Sequence, residues 1–235
     1  MVVGVVGMLD IIISDLHLGS DMAQVKLLGD FLDKIASDEL VCRRLVLNGD
    51  VLEHTQSRLK RTHWKILSTL RSLSDKLELV WVKGNHDHDA EAVAHLIGAN
   101  FVDAYSFESG LNKVVCVHGD TWDDIVNCYP FLVYVADFIY RIAQKIDRSH
   151  GLARNLKSSS KYYLRCDAKV WENAVALAAS GHYNIVCCGH THKPQIRKVE
   201  KIIYCNTGSW TELPCTYVVI DEGKPKLYEF QEIKP

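Results

Sequence analysis

The chain has no strong net charge and no long uncharged apolar run. Its 27 Lys and Arg residues nearly balance 29 Asp and Glu residues, which gives a formal net charge of −2. The overall charge therefore identifies neither a nucleic acid nor a membrane surface as a partner, and we expect no nucleic-acid partner. Because no run of about 18 apolar residues is free of charge, the sequence predicts no transmembrane helix.

The cysteines lack the C-x-x-C spacing that is typical of zinc and redox sites. There are eight, and Cys116, Cys187, Cys188 and Cys205 lie inside apolar runs, where thiols behave as small buried hydrophobic groups. The apolar start, 1–9, has neither a basic segment nor a cleavage site of the kind found in signal peptides. We therefore expect a reduced, cytoplasmic protein, with a peripheral contact at the inner membrane face as an open alternative.

The 235 residues, 48% of them hydrophobic, fit one globular domain or one domain with an insertion. Apolar residues at helical spacing predict helices over 21–39, 62–73 and 90–97, the first of them capped by Asp21. Short apolar runs predict strands over 9–14, 44–47, 77–82, 114–117 and 185–188. Three later strands, at 202–205, 216–220 and 227–230, are separated by turns and predict an antiparallel tail.

Each of the first five strands ends in a cluster of Gly, Asp, Asn and His residues. The clusters are Asp15-Leu16-His17, Asn48-Gly49-Asp50, Gly84-Asn85-His86-Asp87, His118-Gly119-Asp120 and Gly189-His190-Thr191-His192. A single cluster is as readily a polar turn or a helix cap, and Gly84 is expected to turn the chain with a positive φ. Ligands bind at the carboxyl ends of strands in open α/β sheets, so five such loops at one sheet edge predict a metal site.

Seven side chains in these clusters are candidate metal ligands. They are Asp15, His17, Asp50, Asn85, His118, His190 and His192. Mixed carboxylate, imidazole and amide oxygen ligands suit Mn²⁺, Fe or Zn²⁺. Of these we expect Mn²⁺, with Fe and Zn²⁺ as alternatives. Seven ligands are too many for one such ion, whereas a bridging carboxylate would hold two ions about 3.5–4 Å apart. Such a pair binds an oxyanion and lowers the pKa of a bridging water, which suits displacement at phosphorus.

The interval 121–181 interrupts the alternation of strands and polar loops with helix-like sequence. It combines an apolar face over 131–146 with eight Lys and Arg residues against two Asp residues over 141–169. We interpret it as a helical lid that meets an anionic substrate. An anionic membrane surface and a solvated helical hairpin are the alternatives. Candidate substrate contacts are Asn85, Arg148, His150, Arg154, Lys157 and Lys161.

The five clusters, in this order, resemble the five signature blocks of the calcineurin-like metallophosphoesterases. The resemblance implies one domain over 1–235, a four-layer α/β-β-α sandwich with a helical lid insertion at 121–181. It also implies two divalent metal ions and a phosphate-containing small molecule or lipid as substrate.

The same resemblance divides the ligands between two ions that share Asp50. One ion would be held by Asp15, His17, Asp50 and His192. The other would be held by Asp50, Asn85, His118 and His190. His86 would contact the phosphate and protonate the leaving oxygen, and Asp87 would support this catalytic loop by orienting it.

Within the superfamily the chain is similar to the branch that contains the UDP-2,3-diacylglucosamine diphosphatases. The features shared are Glu53, the helical insertion, Gly-His-Thr-His-Lys-Pro at 189–194 and Asn-Thr-Gly-Ser-Trp at 206–210. That branch carries Arg at the position of His86, and His86 instead matches the general phosphoesterase pattern. A general or cyclic-nucleotide phosphodiesterase is therefore the alternative. A non-catalytic scaffold is disfavoured because such relatives have incomplete metal clusters.

Overall fold

The structure is a computed structural model, and it describes residues 9–54, 58–123 and 161–231. The strands in these ranges are β1 (Leu9–Ile13), β2 (Cys42–Asn48), β3 (Glu78–Val82), β4 (Asn100–Val102), β5 (Tyr105–Ser109), β6 (Asn112–Cys116), β7 (Ile185–Cys188), β8 (Gln195–Val199), β9 (Ile202–Asn206), β10 (Cys215–Asp221) and β11 (Lys224–Phe230). The α-helices are α1 (Val25–Ala36), α2 (Arg61–Leu73), α3 (Glu91–Leu96) and α4 (Lys161–Ser180). A 3₁₀ turn covers Asp120–Trp122.

The strands form two sheets. The six-stranded sheet has the order β11-β10-β1-β2-β3-β4, with β1 to β4 parallel and β10 antiparallel to both β1 and β11. The five-stranded sheet has the order β5-β6-β7-β9-β8, and its central strands β6, β7 and β9 are parallel. Parallel strands end at the same edge of their sheet, so the loops after β1, β2 and β3 lie together, as do those after β6 and β7.

Alternation along β1 shows how the layers are held together. Ile11 and Ile13 pack in the cluster formed with α1, α2 and α3, whereas Ile12 packs in the cluster between the two sheets. Successive strand residues point to opposite faces, so a fully apolar strand is buried on both sides. The five-stranded sheet is covered on its other face by α4, through Val170, Ala174 and other small residues. The four layers confirm the predicted α/β-β-α sandwich.

Several details differ from the sequence expectations. The five polar loops come from two sheets that meet face to face, not from one sheet edge. The tail is not wholly antiparallel, because β9 pairs in parallel with β7. Asp21 does not cap α1, which begins at Val25 without a side-chain cap; Asp21 instead forms an ion pair with Lys60 at 2.9 Å. The strands β4, β5 and β8 are short or half-exposed edge strands with weak apolar patterning, and they were not predicted.

The predicted lid lies largely outside the described residues, since 124–160 are not among them. Its C-terminal part is described: α4 is helical, as expected, and packs on the five-stranded sheet as the fourth layer. The extent of the lid stays a prediction. None of the helices described is long and apolar enough to cross a membrane.

Candidate metal centre

The structure brings the polar loops of both sheets to one place. Backbone hydrogen bonds join the loops after β1 and β2: the amide of Asp15 donates to Gly49 at 3.0 Å, and that of His17 donates to Asp50 at 2.9 Å. The loop after β3 joins them through the amide of His86, which donates to Asp50 Oδ1 at 2.9 Å. The loop after β7 is attached through the amide of His190, which donates to Asp15 Oδ2 at 3.2 Å.

The predicted ligands of the first ion, here called site A, are Asp15, His17, Asp50 and His192. Asp15 Oδ1 lies 3.0 Å from His192 Nε2 and 4.0 Å from His17 Nε2. One candidate ligand atom from each of these three residues lies within 4.8 Å of the other two. Site A therefore has the spacing of a cation site.

The predicted ligands of the second ion, here called site B, are Asp50, Asn85, His118 and His190. Ligand atoms of Asp50, His118 and His190 lie within 4.8 Å of one another. Asp50 Oδ2 is 3.2 Å from His118 Nε2 and 3.7 Å from His17 Nε2, so one carboxylate lies between the two sites. This placement supports Asp50 as the shared ligand.

Unpartnered polar atoms test whether the cluster suits metal ions. Across the described ranges, seven buried side-chain polar atoms lack a hydrogen-bond partner. Four of these belong to the cluster: Asp15 Oδ1, His17 Nε2, Asn85 Oδ1 and His118 Nε2. Asp15 and His118 do have short contacts with a neighbouring ring or carboxylate, but these atoms are not aligned as hydrogen bonds. Buried polar atoms without partners are costly, and ligation by cations would satisfy the four that are concentrated here.

Hydrogen bonds from the other ring nitrogens fix the orientation of three histidines. His17 Nδ1 donates to Glu53 Oε2 at 2.9 Å, and His118 Nδ1 donates to the Asn48 carbonyl at 2.8 Å. His86 Nδ1 donates to the Glu53 carbonyl at 2.6 Å. A ring whose Nδ1 carries the proton offers Nε2 as a lone pair, which is how metal-binding histidines are held.

The backbone at the ligands is unusual. Asp15, His17, Asp50, His190 and His192 all have positive φ, between 46° and 61°. A non-glycine residue in this left-handed region costs on the order of 1–3 kcal/mol, and such residues collect at functional sites. The surrounding hydrogen bonds therefore hold the loops in a conformation that the ligand residues alone would not favour.

Glycines let the loops approach one another closely. A Cβ added at Gly49, whose φ is 88°, would lie 2.2 Å from His118 Nδ1. A Cβ at Gly84 would lie 2.3 Å from Asp50 Oδ1. Gly84 is not among the residues with positive φ, so the expected left-handed turn there is wrong; close approach to Asp50 is the reason that this position requires glycine.

Similarity to known proteins agrees with this geometry. A family model described as the calcineurin-like phosphoesterase superfamily domain matches residues 8–224. The chain belongs to this superfamily. The predicted recognition is confirmed, and the protein is a metal-dependent phosphoester hydrolase.

A relative named UDP-2,3-diacylglucosamine hydrolase, from Shewanella sp. (strain W3-18-1), is 27% identical over 210 residues, covering 80% of this chain and 83% of that protein. A solved archaeal phosphodiesterase is 14% identical with a TM-score of 0.53, covering 94% of this chain and 99% of that chain. Yfce, a phosphoesterase from E. coli, is 16% identical with a TM-score of 0.50, and the match covers 91% of this chain and 88% of Yfce. The two solved structures show that the fold is shared.

Buried carboxylate–imidazole pairs dominate the electrostatics of this phosphoesterase centre. Burial alone would raise the pKa of Asp50, but the positive charge of protonated His118 outweighs it and holds that pKa well below its usual value. Burial would lower the pKa of His118, but the Asp50 carboxylate keeps it well above the usual value. The pKa of Asp15 is lowered to about 2, because His192 outweighs its burial. These sites favour positive charge, which divalent cations would supply in place of protons.

Asp87 supports the loops from beneath the phosphoesterase centre. Its carboxylate accepts hydrogen bonds from the amides of Leu52 and Gly84, at 3.2 and 3.1 Å, and from Trp81 Nε1 at 3.1 Å. Burial and the nearby Asp50 charge raise the pKa of Asp87. The side chain therefore ties the loop after β2 to the loop after β3, and its orienting role in catalysis stays a prediction.

The predicted substrate contacts are less fully described. Arg148, His150, Arg154 and Lys157 lie outside the described residues, and Lys161 begins α4 without a described side chain. Asn85 follows β3 in the loop that binds Asp50. The assignment of all six to substrate stays a prediction.

Sequence reasoning did not assign the partners that orient the ligands. Glu53 was a family marker and a candidate for a role in the site, but without an assigned partner; it holds His17 and, through its carbonyl, His86. Asp123 approaches His190, which lies 67 residues further along the chain, so no local spacing marks this pair. The carbonyl of Asn48 is a backbone atom that no residue pattern reports.

Proposed function

We propose that this phosphoesterase is a dinuclear hydrolase that cleaves a phosphodiester or diphosphate bond in a lipid-linked or nucleotide substrate. The observation that carries this proposal is the position of Asp50 between His17 and His118, at 3.7 and 3.2 Å. One carboxylate placed between two groups of candidate ligands is the arrangement that a two-metal site requires.

In this proposal the residues of site A hold one ion and those of site B hold the other, with Asp50 as a ligand of both. Mn²⁺ is the expected metal, and Fe or Zn²⁺ are the alternatives, because nitrogen and oxygen ligands suit all three. When bound, two such ions lower the pKa of a bridging water and stabilise the charge that develops on the phosphoryl oxygens.

His86 is proposed to protonate the leaving oxygen. Its Nδ1–H is bound to the Glu53 carbonyl, so Nε2 is the nitrogen that can present a second proton. Its ring lies 4.9 Å from that of His17 and stacks on that of His54 at 5.1 Å, between centroids. The ring is thus held at the edge of the metal sites by a hydrogen bond and by stacking, where a general acid can reach the substrate.

The substrate class is proposed from two features of the chain. Similarity to a UDP-2,3-diacylglucosamine hydrolase and the basic stretch 141–169 support an anionic, lipid-linked diphosphate. We further propose that 121–181 selects this substrate as a lid within a single domain, and that its basic residues meet an anionic membrane surface. Seven free cysteines among the described residues support a reducing, cytoplasmic location.

A second candidate, a general or cyclic-nucleotide phosphodiesterase, is favoured by His86 itself. A proton donor speeds the departure of an alkoxide, which is a poor leaving group, more than it speeds the departure of a nucleoside monophosphate. The presence of histidine here therefore suits a phosphodiester whose leaving group is an alcohol.

The test is metal-dependent hydrolysis by the full chain. Metal-free protein would be loaded with Mn²⁺, Fe²⁺, Co²⁺ or Zn²⁺. Each form would be assayed with bis-p-nitrophenyl phosphate, 2′,3′-cyclic AMP and UDP-2,3-diacylglucosamine. We expect activity with at least one metal and its loss in His118→Ala, while Asp30→Asn, a change at an exposed carboxylate of α1, retains it. Equal activity in His118→Ala, or none in the unaltered protein with any of the four metals, would contradict the proposal.

A further inference from the structure

His190 differs from His17 and His118 in how its ring is held. His17 and His118 donate through Nδ1, but His190 makes its hydrogen bond through Nε2, which lies 3.1 Å from Asp123 Oδ2. The acceptor is a carboxylate, so Nε2 carries the proton. A ligand atom of His190 lies within 4.8 Å of those of Asp50 and His118. With Nε2 protonated, the ring nitrogen that keeps a lone pair for an ion is Nδ1.

Asp123 is a buried carboxylate with a defined position. It follows the 3₁₀ turn after His118, and its amide donates to the Asp120 carbonyl at 3.0 Å. Only 4% of the residue is exposed. A buried carboxylate is costly unless it accepts hydrogen bonds, so its contact with His190 stabilises both partners.

A second donor reaches the same carboxylate from α4. Cys166 Sγ donates to Asp123 Oδ2 at 3.1 Å. The next residue, Asp167, binds Lys193 Nζ and Gln195 Nε2, both at 2.7 Å, just beyond His192. Helix α4 thus contacts the chain that carries His190 and His192 in two ways. Asp167 binds Lys193 and Gln195 directly, and Cys166 binds Asp123, which in turn binds His190.

We propose that Asp123 is a positioning residue for site B: it accepts the Nε2–H of His190 and so directs Nδ1 at the ion, while Cys166 of α4 holds the carboxylate in place. This inference rests on the proposed dinuclear function and extends it. It assigns His190 the opposite ring nitrogen from that offered by His17 and His118. It also makes the metal affinity of site B depend on a residue that touches no ion.

The experiment measures metal affinity and ring protonation in the full-length protein loaded with Zn²⁺, which is diamagnetic. Competition with a chromophoric chelator gives two dissociation constants, one for each site. We expect Asp123→Ala to weaken only the site B constant, by about 10–100-fold, as found when partners of ligand histidines are removed. Asp123→Asn keeps an acceptor oxygen, so its loss of site B affinity should be smaller than that of Asp123→Ala. Cys166→Ala should lower the site B affinity less than Asp123→Asn does. Cys166→Ser keeps a hydrogen-bond donor and should have the site B affinity of the unaltered protein.

Histidine ¹⁵N spectra supply a readout that a general loss of stability would not reproduce. In the Zn²⁺ form we expect the Nε2–H signal of His190 to be protected from exchange, with Nδ1 bound to the metal. Asp123→Ala should remove that protection while the His17 and His118 signals stay unchanged. Asp30→Asn is the matched control for the loss of one carboxylate and should change neither constant. In a His190→Ala background, Asp123→Ala should have no further effect.

Four results would overturn the inference. The first is an unchanged site B constant in both Asp123→Ala and Asp123→Asn. The second is an Nε2-bound metal at His190, and the third is an extra zinc equivalent that disappears with Asp123→Ala, which would make the residue a ligand. If these appear while the unaltered protein binds two ions, the dinuclear proposal stands without this addition. Binding of fewer than two ions by the unaltered protein, the fourth result, would overturn both.

Discussion

Site A and site B share a carboxylate but differ in what surrounds them. The His118 side chain of site B is fully buried, and its Nδ1 is bound to a backbone carbonyl. The His192 side chain of site A is 20% exposed. The Nδ1 of His17 is bound to a side-chain carboxylate, that of Glu53. His192 is therefore the most exposed of the four candidate histidine ligands, and we infer from this that the two ions are not equivalent.

The largest expected effect comes from the residue that the two sites share. Asp50→Asn replaces a carboxylate, which can bridge two ions, with an amide that has one ligand oxygen. We expect both dissociation constants to weaken and the rate to fall on the order of 10³-fold or more, about 4 kcal/mol of transition-state stabilisation. Metal content by elemental analysis and steady-state kinetics would check this. Retention of two tightly bound ions would show that Asp50 does not join the sites.

His86, beside site A, gives the next effect. His86→Arg replaces a proton donor with a permanent cation, so alcohol leaving groups should lose their assistance. We expect the ratio of phosphodiester to diphosphate hydrolysis to fall by about 10²-fold, within the range that general acid catalysis contributes. The ratio of kcat/KM for 2′,3′-cyclic AMP and UDP-2,3-diacylglucosamine measures it. An unchanged ratio would assign His86 to binding alone.

Glu53→Gln tests the support of site A in the way that Asp123→Asn tests that of site B. The amide removes the charge that holds the His17 ring, so the site A ion should bind about tenfold more weakly. The site B constant should not change. Chelator competition on the Zn²⁺ form gives both values, and an effect on both sites would indicate that the loops are coupled more tightly than their separate partners suggest.

The difference in burial predicts an order of metal release. With excess EDTA we expect two phases, and the faster one should belong to site A because its ligand His192 is partly exposed. His192→Ala should remove the fast phase and leave the slow one. Release followed by a zinc-sensitive dye would show this. A single phase in the unaltered protein would mean that the bridging carboxylate makes the two ions leave together.

The smallest effect concerns the stability of the metal-free protein. The pKa of Asp15 is lowered from 3.8 to about 2, so its contribution is present above 3.8 and is lost as pH falls toward 2. The pKa of His118 is raised from 6.5, so its contribution is complete below 6.5 and is lost as pH rises through the raised value. Thermal unfolding of the metal-free protein should therefore show a maximum between these limits, at mildly acidic pH.

A His118→Gln variant would show which site causes the loss of thermal stability at acidic pH and which causes the loss at alkaline pH. His118→Gln should flatten the alkaline limb and leave the acidic limb, which depends on Asp15. The increase in Tm on adding Zn²⁺ should grow from pH 5 to pH 8, because protons compete with metal at both sites. A metal-free profile that is flat across this range would contradict the role given to these pairs.

Much of the candidate site could be predicted because its candidate ligands directly follow the ends of strands. Apolar runs place Asp15, Asp50 and His118 at the ends of buried strands, and the fold then brings them together. The two-sheet arrangement could not be predicted from the apolar runs, because a buried strand has the same apolar pattern in either sheet. It was predicted from the family resemblance. The hydrogen bonds of Glu53 and Asp123 to the candidate ligands could not be predicted, because contacts between loops that are distant along the chain produce no sequence pattern.

The left-handed backbone at five ligands sets a limit on mutational tolerance. Asparagine, aspartate and glycine enter this conformation most readily, and histidine is more tolerant than β-branched residues. A library at position 17 or 192 that is sorted for folding alone should therefore be enriched in Asn and Gly. The same library sorted for metal binding should return His. The difference between the two outcomes would measure, residue by residue, how far the sequence of these loops is set by chemistry and how far by chain conformation.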